Sequence, residues 1–387
     1  MRLYSQDVEE RIRAQGLVRE WTRSGLLDAA QGERLGAELR VELRRTNLFL
    51  RAALALFTGL IIAASVALLG TVLDLRGHIA TAMITGIAAF ACIGLAEYLV
   101  LKFRCYRFGI EEALAVGAVV LLGISAGEMV SWFHAELQGL PVAIALGVGV
   151  AGGFALYRRF GFVYAALGSM VCAAAIPFQL ELPATSQRVL AAAVIASAFV
   201  VARAKRLKYK DEYPGDEYGH LQAAAWVGMY LVLNVQLIPG WGTVERWFYW
   251  CTYAATWALP LTGLGLGIRE KDRELMDVSL MLTLVTLLTN TAYLGRSPNA
   301  WDPCVLGIGL IGIALIVRRW LSAGPGGERR GFTSARFLDK DRALLSHVST
   351  ASVIAQPGVA PARAEPEAPP PEFSGGRSGG GGASGGY

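Results

Sequence analysis

Ten apolar stretches fill the chain between residues 49 and 321, each close to the roughly 20 residues that a helix needs to cross hydrocarbon. They run over 49–73, 78–101, 112–133, 140–157, 160–180, 188–204, 221–239, 247–268, 275–295 and 302–321. No single water-surrounded core buries ten such stretches, so lipid has to cover them. Only 17% of residues are charged, where a soluble domain carries about 25%. The expected fold is all-α: a polytopic transmembrane helix bundle of about ten spans.

The loops test the count independently. With the N-terminus inside, the inner loops hold Lys102, Arg104 and Arg107; Arg158 and Arg159; Arg203, Lys205, Arg206, Lys208 and Lys210; and Arg269, Lys271 and Arg273. The outer loops and their edges hold only Arg76, Arg188, Arg246 and Arg296. A missed span would scramble this alternation, because basic residues collect on the cytoplasmic side. Arg44, Arg45 and Arg51 before the first span, and Arg318 and Arg319 after the last, place both termini inside. Trp132, Trp241, Trp247 and Trp301 fall at outer ends, and Tyr157 and Trp320 at inner ends, the headgroup depth that amphipathic rings favour. The same rule accounts for the net charge of +5 without nucleic acid.

Residues 1–46 read as a cytoplasmic helical hairpin. Val8, Ile12, Val18 and Trp21 give an apolar stripe at helical spacing. Asp28 and Gln31 have the spacing of a capping box that opens a second helix, with Leu35 and Leu39 on one face. The hydrophilic lead and the depth of the first span argue for an uncleaved anchor rather than a signal peptide. The membrane domain covers 47–322. A basic, apolar segment follows over 323–354, then a Pro/Ala-rich and finally Gly/Ser-rich tail over 355–387, whose composition predicts disorder.

Polar residues inside the spans are where function would reside, since a charge at mid-membrane costs about 2.5–3.5 kcal/mol or more. Glu97 lies about one turn from the inner end of the second span, and Glu128 near the outer end of the third. Each reads either as a coupling carboxylate or as a shallow group that reaches a cation or the headgroups. In the ninth span Ser279, Thr283, Thr286, Asn290 and Tyr293 step by alternating fours and threes, which puts all five on one face. Such a stripe lines a solute path or forms interhelical hydrogen bonds. Asn234 and Gln236 in the seventh span are candidates to face it. Outside, Trp241, Glu245, Trp301 and Asp302 combine aromatic and polar groups suited to a sugar or lipid headgroup, or serve as interface anchors.

Two GxGxxG strings, at Gly147–Gly152 and Gly307–Gly312, sit inside spans whose backbone amides are already bonded. They read as close helix packing, not as phosphate loops. Five scattered cysteines with no CxxC pair suggest neither a disulfide framework nor a zinc site. No HExxH motif occurs and no Ser sits in a GxSxG elbow, the matching strings lying inside the third span (Gly123–Gly127) and in the Gly-rich tail, so no catalytic set, metal or cofactor is expected.

The stretch Leu17-Val-Arg-Glu-Trp21-Thr-Arg-Ser-Gly25-Leu-Leu-Asp28, followed by a second helix and many spans, resembles the domain of unknown function 2157 family of bacterial membrane proteins. The resemblance covers about residues 15–70. It implies a soluble lead joined to a membrane bundle, in the bacterial cytoplasmic membrane, with no activity to carry over. Three functions follow: a transporter or permease-like protein, a scaffold that recruits a cytoplasmic partner through residues 1–46 or the tail, and an enzyme on a lipid-linked substrate at the outer loops. The expected partner common to all three is the lipid bilayer.

Overall fold

The computed structural model describes residues 3, 6–23, 27–41, 43–44, 46–73, 77–134, 136, 139–208, 217–237, 244–295, 302–324, 328–329 and 332–333. It divides into two units, Met1–Asn299 and Ala300–Tyr387. The first holds helices α1 (Gln6–Arg23), α2 (Ala29–Glu38), α3 (Leu48–Val72), α4 (His78–Phe103), α5 (Ile110–Phe133), α6 (Leu140–Phe160), α7 (Val163–Ala175), α8 (Ala184–Lys208), α9 (Glu217–Leu233), α10 (Arg246–Glu270) and α11 (Arg273–Tyr293). A 3-10 turn, Ile176–Gln179, extends α7. The second unit holds α12 (Asp302–Ser322) and a short antiparallel pairing of Glu328–Arg329 with Phe332–Thr333. The tail from 334 onward lies outside the described residues.

Side-chain size sorts inside from outside. Along α4 the buried positions are Ala82, Thr85, Ala89, Cys92, Ala96 and Val100, which step by threes and fours. Ile87 and Phe90 on the same helix are 68% and 69% exposed. Small residues inside and large apolar residues outside is the packing expected when the surroundings are as apolar as the core. In water the outward faces would form apolar patches far beyond the few hundred Å² that soluble proteins tolerate. Among the described residues six helices, α3, α4, α5, α6, α8 and α11, are long and apolar enough to cross a membrane. The protein is a multi-pass helical membrane protein.

Every expected span coincides with a helix. The largest departure is the seventh. It was expected over 221–239, but α9 begins at Glu217 and ends at Leu233, and a turn follows over Val235 to Leu237, closed by Leu237 N donating to Asn234 O. The fifth combines the 13 residues of α7 with the turn at Pro177, where proline takes the first positions of a tighter helix.

Two separate cores organise the first unit. One joins α4, α5, α6 and the start of α7 around Ala89, Ala115, Ala118 and Phe160, with α3 against its edge. The other joins α8, α9 and α11 around Ala191, Ala225, Tyr230 and Leu275, with α10 beside it. The short α7 touches both groups. In α6, Gly149 and Gly152 lie where a Cβ would be 2.9 Å from Cys172 Sγ and 2.8 Å from a Val119 methyl, so this glycine string lets α5 and α7 approach.

The α1–α2 hairpin packs on one end of the bundle. The capping box is present: Asp28 Oδ1 accepts from Gln31 N at 2.7 Å, and Gln31 Oε1 accepts from Asp28 N at 3.1 Å. Leu3 N donates to Arg159 O at 2.8 Å, and Arg44 pairs through its backbone with Arg104 and Tyr106. The C-terminal ends of α4, α6, α8 and α10 all gather at this end, those of α8 and α10 tied by Arg203–Glu270 and Arg206–Asp272 pairs. The described basic residues of the four expected inner loops thus share one end, Lys210 lying outside the described residues.

Candidate functional site

The polar stripe of α11 faces α9 and α10. Ser279, Thr286 and Tyr293, seven residues apart, are buried, while Thr283 and Asn290 are half-buried. Asn234 Nδ2 donates to the Tyr230 hydroxyl at 3.1 Å, and that hydroxyl lies 2.9 Å from Thr286 Oγ1. Thr286 Oγ1 in turn donates to Thr256 O at 2.8 Å, with Leu282 O of its own helix a second acceptor at 2.9 Å. A single hydroxyl proton gives the chain one direction when it is used on Thr256: Asn234 to Tyr230 to Thr286 to the α10 backbone.

The last link has a cause in the α10 sequence. Pro260 sits inside α10 and has no N–H, so Thr256, four residues earlier, loses its usual intrahelical donor. Thr286 supplies the replacement from α11. In a membrane a proline in a helix is tolerated where a neighbouring Ser or Thr satisfies the freed carbonyl.

Toward the opposite end the network continues. Tyr253 OH donates to Asn290 Oδ1 at 2.9 Å, and Val235 N donates to the Tyr293 hydroxyl at 2.9 Å. Gln236 Nε2 donates to Tyr249 OH at 2.8 Å, and Tyr249 OH donates to Tyr293 O at 2.9 Å. Asn234 and Gln236 therefore both join the network, Asn234 also through Thr289 at 3.3 Å. Thr283 and Ser279 return their hydroxyls to their own helix, at Ser279 O and Leu275 O. Arg188 on α8, 1% exposed, donates to Val232 O at 2.8 Å beside this layer. The stripe thus works as interhelical adhesive over much of its length.

The two acidic candidates stand elsewhere, each beside a partner. Glu97 on α4 accepts from Arg159 Nε at 3.0 Å and Nη2 at 2.9 Å, at the basic end. Glu128 on α5 lies 2.6 Å from His78 Nδ1 at the start of α4, at the other end. Neither meets the α11 stripe. Of the outer-loop candidates, Trp241 and Trp301 lie outside the described residues. Glu245 precedes α10 and accepts from Trp247 Nε1, and Asp302 opens α12.

Sequence reasoning passed over Tyr230, Tyr249, Tyr253 and Thr256. Their signal was available: Tyr249, Thr252, Tyr253 and Thr256 fall on one face of α10, and Tyr230 precedes Asn234 by four. It counted Arg51 only toward topology and did not pair it with Glu112; the two join α3 to α5 by a two-pronged pair, Arg51 Nε to Glu112 Oε2 at 2.6 Å.

Two open spaces flank α7. One cavity of about 1270 Å³ lies between α4, α6 and α7 on one side and α8 and α9 on the other. Arg158, Arg159, Lys205 and Glu97 stand at its basic end, and Val150, Met170 and Val194 mark its depth. A second, of about 1160 Å³, lies between α7 and α8–α9 and reaches Gln179 and Gln187 toward the opposite end. Met170 borders both. Among the described residues no group of three or more His, Cys, Asp or Glu is placed to hold a metal ion.

No family model, curated protein or solved structure matches this chain. Its functional reading therefore rests on the helices and cavities themselves.

Proposed function

We propose that this chain is a ten-span protein of the bacterial cytoplasmic membrane, with both ends on the cytoplasmic side, and that it acts as a permease-like protein for an amphiphilic solute. The observation that carries the reading is the pair of lateral cavities flanking α7. Together they run from the basic end to the opposite end between two helix groups that have separate cores. Two groups joined through one short helix can shift against each other, and a solute bound between them would be exposed alternately.

Ten spans are supported by length. The α7 helix and its turn extend about 27 Å, close to the roughly 30 Å of hydrocarbon. The α10 and α12 helices, of 25 and 21 residues, have the length to cross as well. The inner assignment of the basic end follows the positive-inside rule. The likeness of residues 15–70 to the domain of unknown function 2157 family belongs to the same proposal.

The hydrogen-bonded layer of α9, α10 and α11 argues against a path through those helices, because its polar groups are spent on one another. The path is placed instead along α7. Purified protein in liposomes tests this with a fluorescent phospholipid whose outer-leaflet copies are quenched by dithionite. The expected result is protein-dependent movement between leaflets that Met170→Trp, at the junction of the cavities, abolishes. No movement, or movement indifferent to Met170→Trp, would overturn the proposal.

A further inference from the structure

We infer that the cavity at the basic end is a binding site for one membrane phospholipid with an anionic head, seated with its phosphate at Arg158 and Lys205 and its acyl chain against α6, α7 and α8. The inference builds on the permease-like reading by naming a ligand class, but the site would hold such a lipid whether or not the lipid moves.

Depth is the first argument. From Lys205 to Val194 on α8 is eleven residues, about 16 Å of helix, and from Arg158 to Val150 on α6 is eight, about 12 Å. One leaflet of hydrocarbon is about 15 Å thick, half of the usual core. The cavity therefore reaches from headgroup level to near the bilayer midplane, the extent of one acyl chain.

The distribution of polarity is the second. Among the described lining residues charge is confined to the rim, where Arg158, Arg159 and Lys205 stand with the carboxylate of Glu97. Below the rim the walls are apolar. The two serines there do not break this, because Ser169 Oγ donates to Val150 O at 2.7 Å and Ser197 Oγ to Val194 O at 2.6 Å. A charged solute would find no partner at that depth, whereas an acyl chain needs none. The volume of about 1270 Å³ also exceeds the roughly 300–1,000 Å³ of ordinary small-molecule sites.

The rim matches a phosphate. Arg158 is exposed, with its guanidinium carbon 5.9 Å from the Phe154 ring centroid, so the aromatic ring steadies it at the groove mouth. Lys205 is exposed across the groove on α8. Basic pockets between spanning helices on the cytoplasmic side are where anionic lipid heads are held.

Native mass spectrometry of the full chain in detergent, titrated with phosphatidylglycerol or phosphatidylcholine, tests the site without requiring transport. The expected result is one phosphatidylglycerol bound in preference to phosphatidylcholine. Arg158→Gln/Lys205→Gln should weaken it about 30-fold, given the usual contribution of a cation beside an anionic membrane surface. Ser197→Trp, which fills the groove and leaves the charges, should abolish binding of either lipid. Unchanged thermal melts would show that both variants fold. Equal binding of the two lipids would overturn the anionic head. Displacement by millimolar inorganic phosphate would indicate a phosphate site instead of a lipid site. Binding indifferent to Ser197→Trp, or a dimer mass in place of bound lipid, would overturn the groove. Lipid bound here without movement between leaflets would remove the permease-like reading and leave this one standing.

Discussion

Replacing Thr286 with valine keeps the shape of the side chain and removes one hydroxyl. That hydroxyl lies 2.9 Å from Tyr230 OH and donates to Thr256 O at 2.8 Å. The two losses differ in size. The tyrosine contact is an ordinary intramembrane hydrogen bond, measured at about 0.6 kcal/mol on average and 1.7 at most. The Thr256 carbonyl is different, because Pro260 has already removed its helical donor, so Thr286→Val leaves a buried carbonyl orphaned at about 1–3 kcal/mol. Thr286→Val should therefore destabilise the protein by about 2 kcal/mol. Pro260→Ala returns an N–H four residues after Thr256 and lets α10 satisfy that carbonyl itself. In the Pro260→Ala background the same substitution should cost only about 0.6 kcal/mol. The measurement is a double-mutant cycle, with unfolding by sodium dodecyl sulfate in mixed micelles followed by tryptophan fluorescence. A cost equal in the two backgrounds within about 0.3–0.5 kcal/mol, the scatter of independent sites, refutes the reasoning.

Three further outcomes follow. Breaking the Arg51–Glu112 pair with Glu112→Gln should cost about 3 kcal/mol, and the swap Arg51→Glu/Glu112→Arg should recover part of it, read as thermal stability in detergent. If the swap is no better than the single change, the pair does not hold α3 to α5. Cys105 lies in the α4–α5 turn, and burial pushes its thiol up, so little reactive thiolate exists at neutral pH. Maleimide should label it slowly in the full chain and readily once residues 1–46 are deleted; equal rates would mean that the hairpin does not cover that turn. Gly109 has φ +107, and an added Cβ would lie 2.3 Å from Arg51 O, so Gly109→Ala should sharply lower the yield of folded protein. Gly77, at φ +104 with nothing within 4 Å of such a Cβ, meets no steric obstacle and should suffer only the smaller cost of its backbone conformation, about 1–3 kcal/mol.

The polar stripe of α11 had two readings, a path or an adhesive, and the partners on α9 and α10 favour the second. A residue lining a water-filled route offers its polar group to solvent. Thr286 and Tyr293 instead give theirs to a carbonyl without a helical donor, to a backbone amide and to a neighbouring hydroxyl, in a layer where Ser279 and Thr286 are nearly inaccessible. In hydrocarbon these bonds do work that burial of leucine does not, since lipid tails solvate leucine as well as a core does. The second helix group therefore has directional attachments between α9, α10 and α11. The first group relies more on close approach of small residues, such as Ala89 on α4 and Ala115 and Ala118 on α5.

What the sequence reveals divides along the same physical line. Helix positions were legible because each span must satisfy its own backbone in lipid and so writes a long apolar run. The gathering of basic turns at one end was legible because the alternation of charge records it. Individual polar contacts were half legible: helical spacing put Thr286 and Asn290 on one face but said nothing of which helix met them, and the role of Pro260 becomes clear only when α11 is seen beside it. The cavities were not legible at all. A groove is defined by which helices fail to touch, and that depends on tertiary placement of α7 between two cores, which no local pattern encodes. Lining residues such as Val150, Met170 and Val194 are ordinary apolar residues on their own helices, indistinguishable in sequence from those that face lipid or core. Only the cations at the rim carry a signal, and in the sequence they had already been assigned to topology. The same Arg158 and Lys205 that positive-inside counting assigns to topology are the cations proposed to hold an anionic head, so the count conceals the proposed site.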